Sequence, residues 1–472
     1  MLRSPGRSAI KITALGHASF LIETAAGTIL TDPVAFDPFE SGVSHSYPER
    51  AIDLSKLPPI NCLVISHRHF DHFDIRTLSS LDRDTVVFHP ACEPLIEHAL
   101  SELGFTRTRP LVPWARARAG QLEIIATPSC VSWPELGLVV RDGVSTLWSL
   151  IDTVIDKEII STLREHVGTI DCLLAQYSPI LQYELRDGLG SKTLDAGAYD
   201  WLFETVRLTQ AQMVVPSAGG IRFDKAAWQN VYGFPVSPRR FLADLAHAVP
   251  GVTSTHLDPG DVLERDGESW AARRQTVPFV AMRMPFDGYQ QWHHDPAVGI
   301  PAFADLNLLG SDPEAAGQYA TRYITEQLVH DLLHKSNDAA RSRWREWRLK
   351  WRLDLYLPPN ASGAAPAPSS WWVDFGQDEL SLTQRDGIEA DLRTVVTATG
   401  IHDLMTGLCP PYAYLSMDCT RHTARVMRAT PDGVQEPEGG LPEPLLAALT
   451  EPRDLDALFV ASELEKWGPG NR

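Results

Sequence analysis

Nine consecutive residues constrain this chain more than any other part of its sequence. Residues 66–74 read Ser-His-Arg-His-Phe-Asp-His-Phe-Asp, so three histidines and a carboxylate fall between His67 and His72. The apolar run at 60–65 precedes them directly, which predicts a buried strand that ends where the polar cluster begins. Imidazole and carboxylate groups at this density are typical of transition-metal sites, and chance clustering of so infrequent a residue as histidine is a poor alternative. The sequence therefore predicts a loop that holds two metal ions.

Short apolar segments around this cluster predict layered α and β structure. Residues 10–32 alternate apolar and polar side chains and break at Gly27, which predicts two strands and a tight turn. Further strands are predicted at 85–88, 122–126, 136–140 and 145–150, and helices at 94–103 and 199–208. This order favours an α/β fold.

The pattern changes at about residue 305. Residues 315–350 have the period of a long helix, residues 351–357 alternate like a half-buried strand, and 371–375 resume as a strand after a Pro-, Ala-, Gly- and Ser-rich connection. We therefore predict a catalytic domain at 1–304 and a smaller α+β domain at 305–472. The helix-then-sheet order of the second domain, with Gly407 after a turn, resembles sterol-carrier-type lipid-binding domains, which implies contact with substrate or with a second copy in a homodimer.

The charge balance excludes some classes of partner. The 472 residues include 42 basic and 60 acidic side chains, a net charge of -18. Such a surface repels phosphate backbones and anionic headgroups, so neither nucleic acid nor a membrane is an expected partner. No apolar run reaches the roughly 20 residues of a spanning helix, and no signal peptide is evident, so we expect a cytoplasmic protein. The six cysteines lack paired metal-binding spacings and are expected to be free thiols.

The polar cluster resembles the His-x-His-x-Asp-His signature of the metallo-β-lactamase superfamily. Residues 15–23, Leu-Gly-His-Ala-Ser-Phe-Leu-Ile-Glu, and the step Thr-Asp-Pro at 31–33 are similar to the opening strands of its ascorbate-lactonase-like branch. The resemblance extends over residues 8–265 and implies an αββα sandwich with a dinuclear site at one edge. It implies further that His67 and His69 bind the first metal ion, and Asp71 and His72 the second.

The remaining ligands depart from the family pattern. The family places a histidine after the next strands, but residues 127–137 contain none, so Glu135 is the available ligand. Asp152, in the step Leu-Ile-Asp-Thr, is the expected bridging carboxylate. The usual Pro-x-His step is also missing, since Pro216 is followed by a small-residue loop, and His256 is the best substitute, ahead of the alternatives His247 and Asp224.

Five further residues have two interpretations each. His17 lines the pocket mouth or bonds a ligand carboxylate, or it packs at a strand end. Asp32 holds the tautomer of a ligand histidine or caps a turn before proline. His293 and His294 approach the site or lie in an exposed loop. Arg222 contacts substrate or lies at the surface.

The substitution of Glu135 for a histidine favours oxygen chemistry. An added carboxylate makes the site harder and more anionic, which suits iron or manganese and weakens the ion as a Lewis acid for hydrolysis. The pattern resembles the non-haem diiron monooxygenases of this fold that hydroxylate substrates in natural-product pathways. It is also similar, at the level of fold, to the catalytic half of sialic-acid hydroxylases, although the Rieske cysteine and histidine set is absent from the sequence.

The resemblance to the diiron monooxygenases implies two iron ions, with zinc or manganese as the alternative, and O2 as co-substrate. Asp152 and Glu135 are the expected catalytic residues. The electrons would come from a separate ferredoxin or reductase, because no flavin or nicotinamide fingerprint is evident. The competing hypothesis is a zinc or manganese hydrolase of the lactonase or phosphodiesterase kind, and a third is a binding module without chemistry.

A basic stretch at 341–352 interleaves arginines and a lysine with tryptophans. The tryptophan spacing predicts a helix with an apolar stripe and a solvated basic face. The alternative is that Arg345 and Arg348 bind the phosphate of a thioester-linked substrate, such as a coenzyme A or phosphopantetheine handle.

Overall fold

The structure is a computed structural model that describes residues 10–179, 181, 194–267, 269–283, 294–360, 363–384, 389–424, 426–430, 433–438, 440–449 and 454–469. It divides into two compact units. The first comprises Met1–Ile180, Thr193–Pro296 and Glu463–Arg472, and the second comprises Leu181–Lys192 and Ala297–Ser462. The boundary that the sequence predicts after residue 304 falls inside the second unit.

The strands, in chain order, are β1 (Lys11–Gly16), β2 (Ser19–Thr24), β3 (Gly27–Thr31), β4 (Ser44–Ser46), β5 (Arg50–Ile52), β6 (Cys62–Val64), β7 (Val86–Pro90), β8 (Thr108–Leu111), β9 (Arg116–Ala119), β10 (Leu122–Pro128), β11 (Leu136–Arg141), β12 (Thr146–Ser149), β13 (Cys172–Gln176), β14 (Met213–Ser217), β15 (Ile221–Phe223), β16 (Thr253–Ser254), β17 (Val262–Asp266), β18 (Ser269–Arg273), β19 (Val280–Met282), β20 (Lys350–Tyr356), β21 (Ser369–Asp374), β22 (Leu392–Thr397), β23 (Thr420–Ala424), β24 (Arg428–Thr430) and β25 (Gly433–Gln435).

The helices are α1 (Ile75–Ser79), α2 (Pro94–Glu102), α3 (Lys157–Val167), α4 (Ala196–Thr209), α5 (Trp228–Gly233), α6 (Pro238–Ala248), α7 (Pro313–Arg322), α8 (Leu328–His334), α9 (Asp338–Glu346), α10 (Ala398–Met405), α11 (Pro411–Ser416), α12 (Pro444–Leu449) and α13 (Asp454–Trp467). Short 3-10 turns lie at Glu40–Gly42 and Leu54–Lys56, and a π-helical turn, Tyr323–Gln327, joins α7 to α8.

The first unit is an αββα sandwich. Its first sheet has the order β18-β17-β1-β2-β3-β6-β7-β8, and its second has the order β16-β14-β13-β12-β11-β10-β9. Successive side chains of a strand point to opposite faces. In β10, Leu122 and Ile124 therefore join the core between the two sheets, while Ile125 packs on the other face with residues of α3, α4 and α6.

The strand directions determine where the loops meet. β3, β6 and β7 are parallel neighbours in the first sheet, and β12, β13 and β14 are parallel neighbours in the second. The loops that follow β3 and β6 therefore leave one edge of their sheet, and those that follow β12 and β14 leave one edge of theirs. These are the loops that carry Asp32, the residues 66–74, Asp152 and Ser217.

Residues 10–32 form three strands, so the prediction of two was wrong. The additional break falls after Gly16, where φ is 115° at Gly16 and 49° at His17. A β-strand cannot continue through two such residues, and the chain turns back at once into β2.

The second unit contains a four-stranded sheet of order β21-β20-β22-β23. The strand predicted at 351–357 is confirmed as β20, whereas the helix predicted at 315–350 is interrupted, because the Asn337 side chain caps a new helix by accepting a hydrogen bond from Ala340 N. The tryptophan stripe is therefore not on one helix, since Trp344 lies in α9 and Trp351 in β20. Across the described residues, no helix is long and apolar enough to cross a membrane. All six cysteines are free thiols.

Candidate metal centre

The loop 66–74 is a short link between β6 and α1. The backbone N–H groups of His72 and Phe73 both donate to the carbonyl of His69, which forms a tight turn inside the loop. Asp74 then caps α1 by accepting a hydrogen bond from Thr77 N. His67 and His72 are fully buried as a result, and their rings face each other at a centroid distance of 4.2 Å.

Two groups of side chains in this region can each hold a metal ion. His67, His69 and Asp152 form one group, and His17, His72 and Asp152 form the other, with the donor atoms of each group within 4.8 Å of one another. His67 Nε2 lies 2.9 Å from His69 Nδ1 and 4.0 Å from Asp152 Oδ2. His72 Nε2 lies 3.2 Å from Asp152 Oδ2. Asp152 is thus common to both groups, which is the position expected of a bridging carboxylate.

Asp71 lies on the side of the second group. Its Oδ2 is 3.2 Å from His17 Nε2 and 3.7 Å from His72 Nε2. The loop therefore divides as the superfamily signature implies, with His67 and His69 toward one group and Asp71 and His72 toward the other.

Asp32 stabilises this arrangement through hydrogen bonds to Ser66 and through the ring nitrogen of His72 that points away from the centre. It is fully buried, and its Oδ2 accepts hydrogen bonds from Ser66 Oγ and lies 3.1 Å from His72 Nδ1, while its Oδ1 accepts from Ser66 N. Ser66 Oγ lies 2.9 Å from His67 Nδ1. A carboxylate on the far nitrogen of an imidazole fixes its orientation and tautomer, so Asp32 holds His72 with Nε2 turned to the centre.

The loop of Asp152 is also held in place. Gln176, at the end of β13, donates from Nε2 to the carbonyls of Ile151 and Thr153, at 3.0 and 3.2 Å. Asp152 is therefore fixed from both sides by its neighbours. An apolar cavity of about 220 Å³, lined in part by Leu150, Val154 and Trp201, adjoins the same loop.

The charges of the site fit a bound cation. Burial disfavours the charged form of His72, yet the carboxylates of Asp152 and Asp71 outweigh it and hold the pKa of His72 well above its usual range. The pKa of Asp71 is lowered against its burial by His72 and His17. Burial, with the neighbouring His72 and His69, holds the pKa of His67 well below its usual range. A metal ion binds neutral imidazoles and ionised carboxylates, and it would replace the proton on His72 as the countercharge.

Glu135 is buried beside this centre, outside both groups of donor atoms. It is 5% exposed, its Oε2 accepts a hydrogen bond of 2.6 Å from Ser129 Oγ, and its charge interacts with those of Asp152 and His72. Burial raises the pKa of Glu135 to about 7, against the hydrogen bond from Ser129. Its role as a metal ligand stays a prediction.

The pKa of Glu135 predicts a pH-dependent stability of the metal-free protein. Its folded value of about 7 exceeds the model-peptide value of 4.5, so the unfolded chain loses this proton at lower pH than the folded chain. The free energy of unfolding therefore falls as pH rises between these values. We expect metal-free Glu135→Gln to be more stable than metal-free wild type by about 3 kcal/mol at pH 8 and equally stable near pH 4. Urea unfolding after chelation measures this, and an equal difference at both pH values would contradict it.

The other predicted ligands lie apart from both groups. His256 Nε2 is 3.0 Å from Asp258 Oδ1, and neither ring nitrogen joins a metal-competent group. His247 lies on α6 with Nδ1 bonded to its own helix at Ala243 O, and Asp224 lies next to Lys225. Within the described residues, His17 is instead the fourth imidazole of the centre.

Three further residues were left with two interpretations. Arg222 is buried, not at the surface, and its guanidinium lies over the rings of Tyr47 and Phe234 at 4.6 and 4.0 Å. His294 lies outside both groups, and His293 falls outside the described residues.

Glu40 is a residue that sequence reasoning did not find. It is 5% exposed, its Oε2 accepts a hydrogen bond from Ser44 Oγ, and its charge interacts with those of Asp71 and His72. Burial, followed by the charge of Asp71, raises the pKa of Glu40 to about 8. Only the loop between β3 and β4 brings it near the centre, and no sequence pattern marks such a loop. Trp133, whose ring centroid is 6.2 Å from that of His69, was likewise not singled out.

The sequence also matches known proteins. Residues 11–142 match the family model described as a beta-lactamase superfamily domain. A Mycobacterium tuberculosis protein whose name provisionally describes it as a Rieske 2Fe-2S iron-sulfur protein is 32% identical over 229 residues, 44% of each chain. The match thus spans less than half the length of this relative. A metal-dependent hydrolase of Anaeromyxobacter is 39% identical over 66 residues, 14% of this chain and 22% of its own.

Solved structures share parts of the fold at low identity. CmlA, a diiron beta-hydroxylase from Streptomyces venezuelae, aligns with a TM-score of 0.40 and 19% identity over 57% of this chain and 55% of its own. An isothiocyanate hydrolase from Delia radicum gut bacteria aligns with a TM-score of 0.41 and 15% identity over 54% of this chain and 99% of its own. Residues 11–142 are therefore similar to a beta-lactamase superfamily domain, and this stretch includes the histidine-rich loop and several strands of the αββα sandwich.

Proposed function

We propose that this protein is a non-haem diiron monooxygenase that hydroxylates a small organic substrate. The observation that carries the proposal is the set of carboxylates around the imidazoles. Asp71 and Glu135 are buried, the Asp152 side chain is 33% exposed, and residues 127–137 offer no histidine in place of Glu135. A carboxylate-rich mixed set suits iron or manganese and stabilises the oxidised ion, whereas hydrolytic zinc gains Lewis acidity from neutral ligands.

The overall reaction balances with an external reductant. The substrate R–H, O2, two electrons and two protons give R–OH and water. A pair of iron ions, when bound, supplies the binding and reduction of O2. We propose that His67 and His69 hold one ion and Asp71 and His72 the other, with Asp152 between them and Glu135 as an additional carboxylate.

The electron donor is proposed to be a separate ferredoxin or reductase. The Mycobacterium tuberculosis relative carries a name that describes an iron–sulfur protein, and a Rieske centre is an electron-transfer group. The 472 residues contain no cysteine and histidine set of this kind, and we propose a separate polypeptide as the source of the electrons.

The substrate is proposed to carry an apolar group. The cavity beside the loop of Asp152 has the volume of a small ring or branched chain, and Trp133, 40% exposed, offers an aromatic face next to His69. A thioester handle is proposed from Arg345 and Arg348, which are both exposed in the second unit. Reversing the charge of both arginines should weaken binding of a coenzyme A thioester, and unchanged binding would exclude the handle.

A zinc or manganese hydrolase is the second candidate. The similarity to a metal-dependent hydrolase of Anaeromyxobacter favours it, as do the four imidazoles of the centre. In that case the same residues would hold zinc or manganese ions that activate water for hydrolysis, and O2 would play no part.

Oxygen consumption by the iron-loaded protein distinguishes the two candidates. Protein loaded anaerobically with Fe2+ is reduced with dithionite, freed of excess reductant and mixed with O2 in an oxygen electrode. The monooxygenase proposal predicts rapid uptake of one O2 per pair of iron ions. Protein that binds two zinc ions, consumes no O2 when loaded with iron, and hydrolyses a lactone or phosphodiester would establish the hydrolase instead.

A further inference from the structure

His17 lies at the turn between β1 and β2 with its side chain directed into the metal centre. Its side chain is 6% exposed, and its Nε2 is 3.2 Å from His72 Nε2 and 3.2 Å from Asp71 Oδ2. The two sequence interpretations of His17 were a pocket-lining or hydrogen-bonding residue and a packed strand end. Neither interpretation explains why two imidazole nitrogens and a carboxylate oxygen converge on one point. Two unprotonated ring nitrogens at this distance repel each other unless a proton or a cation lies between them.

The backbone around His17 is held in position by close approach of another loop. Ala218 N donates to His17 O, and Tyr47 N donates to Gly220 O. A Cβ atom added to Gly220 would lie 3.0 Å from His17 N and 3.2 Å from His17 Cα. Glycine at position 220 therefore allows the loop after β14 to pack closely against the backbone of His17, and a larger residue would require one of the two backbones to move.

This same loop is the place where the sequence lacks the expected Pro-x-His step. Ser217, which ends β14, is buried, and it lines a small cavity of about 30 Å³ together with His17 and His256. Residues 217–220 carry no imidazole, and the imidazole beside His72 comes instead from His17, at the turn after β1. His256, the substitute chosen from sequence, is paired through Nε2 with Asp258 instead.

We infer that His17 is the terminal ligand of the second metal ion, with Asp71, His72 and Asp152, and that it replaces the histidine missing after β14. The inference rests on the dinuclear centre of the proposed function, although it holds for iron, zinc or manganese alike. The small-residue loop 217–220 positions His17 and contributes no ligand of its own.

Metal titration of variants tests this assignment without any assay of turnover. Metal-free wild type, His17→Ala, His17→Gln and His256→Ala are titrated with Co2+, and binding is followed by calorimetry and by the visible absorption of the ion. We expect two ions for wild type and for His256→Ala. We expect His17→Ala and His17→Gln to keep the first ion and to bind the second at least 10-fold more weakly, since even the loss of a group that only supports a ligand costs about 10- to 100-fold in metal affinity.

The glutamine variant separates a ligand from a hydrogen-bond donor. Its amide can still donate to Asp71 Oδ2, so a role limited to that hydrogen bond predicts that His17→Gln retains the second ion and only His17→Ala loses it. Gly220→Ala is the second test, because it keeps the imidazole but places a Cβ atom 3.0 Å from His17 N, which we expect to displace His17 slightly. We expect it to weaken binding of the second ion as well. We expect His247→Ala, at an exposed position of α6, to leave the binding of both ions unchanged.

The outcomes are distinguishable. Two ions of wild-type affinity in His17→Ala and His17→Gln would overturn the assignment of His17 while leaving the dinuclear centre intact. Loss of the second ion in His256→Ala alone would transfer the role to His256. A single ion in wild type would contradict the dinuclear centre itself, and with it the proposed function. Retention of the first ion in each variant shows that the first unit is folded.

Discussion

An Asp152→Ala variant is expected to lose both metal ions and about 1,000-fold or more of its activity. Asp152 Oδ2 is the oxygen common to the two groups of donor atoms, at 3.2 Å from His72 Nε2 and 4.0 Å from His67 Nε2. Its removal takes away the carboxylate that the two groups share, so we expect both ions to be bound weakly. Without bound ions, the activation barrier of the catalysed reaction is no longer lowered. The measurement is metal content per chain after equilibrium dialysis, together with single-turnover activity.

The matched control is Asp142→Asn in the turn between β11 and β12. Asp142 Oδ1 accepts hydrogen bonds from Val144 N and Ser145 N, Asp142 lies outside both groups of donor atoms, and asparagine keeps an acceptor there. Its metal content should equal that of wild type. If Asp152→Ala retained two ions with wild-type affinity, the bridging position would have to be assigned to another carboxylate, and Glu135 would be the first to examine.

An Asp32→Ala variant is expected to lower metal affinity by about 10- to 100-fold and the free energy of unfolding by about 3 kcal/mol. Asp32 is fully buried and accepts from Ser66 N and Ser66 Oγ while it holds His72 Nδ1. Alanine leaves the buried donors of Ser66 and His72 without this acceptor, and it allows the His72 ring to rotate. It also meets a backbone φ of 39°, which aspartate and asparagine tolerate better than alanine does.

Asp32→Asn separates these two effects. Asparagine keeps an oxygen for Ser66 and tolerates the positive φ, but it removes the negative charge beside His72. We expect it to recover most of the stability and little of the metal affinity, as measured by urea unfolding of the chelated protein and by metal titration. Equal recovery of both would mean that Asp32 acts only as a structural residue.

The core of the centre could be predicted because its ligands are close together in sequence. The residues from His67 to His72 occupy one loop, so the spacing alone places four donors at the end of one strand. Asp152 could be predicted because the step that contains it resembles the family pattern. Glu135 was found by elimination, and the structure buries it near Asp152 without bringing it into either group of donor atoms.

The roles of His17 and Glu40 depend on contacts that sequence patterns do not report. His17 reaches His72 from a turn 55 positions away, and its backbone packs closely against Gly220 in the loop after β14. Glu40 reaches the charges of Asp71 and His72 from an irregular loop. Choosing His256 followed the chain order of the family, whereas the structure supplies the imidazole from a different strand.

The broken helix after residue 334 has a local reason that periodicity conceals. Residues 334–338, His-Lys-Ser-Asn-Asp, include no proline or glycine that would mark a break, but the side chain of Asn337 accepts from Ala340 N and starts a new helix. Capping is determined by one side chain, while periodicity averages over many. The three strands at 10–32 were missed for a similar reason, because the turn at Gly16 and His17 leaves the alternation of side chains almost undisturbed.

Mössbauer spectroscopy of the protein loaded anaerobically with 57Fe2+ tests the central proposal most directly. We predict two high-spin ferrous ions per chain that are both converted, on exposure to O2, into an antiferromagnetically coupled diferric pair without an EPR signal. Iron that binds at one ion per chain, or that stays ferrous in air while two zinc ions bind tightly and support hydrolysis, would contradict it.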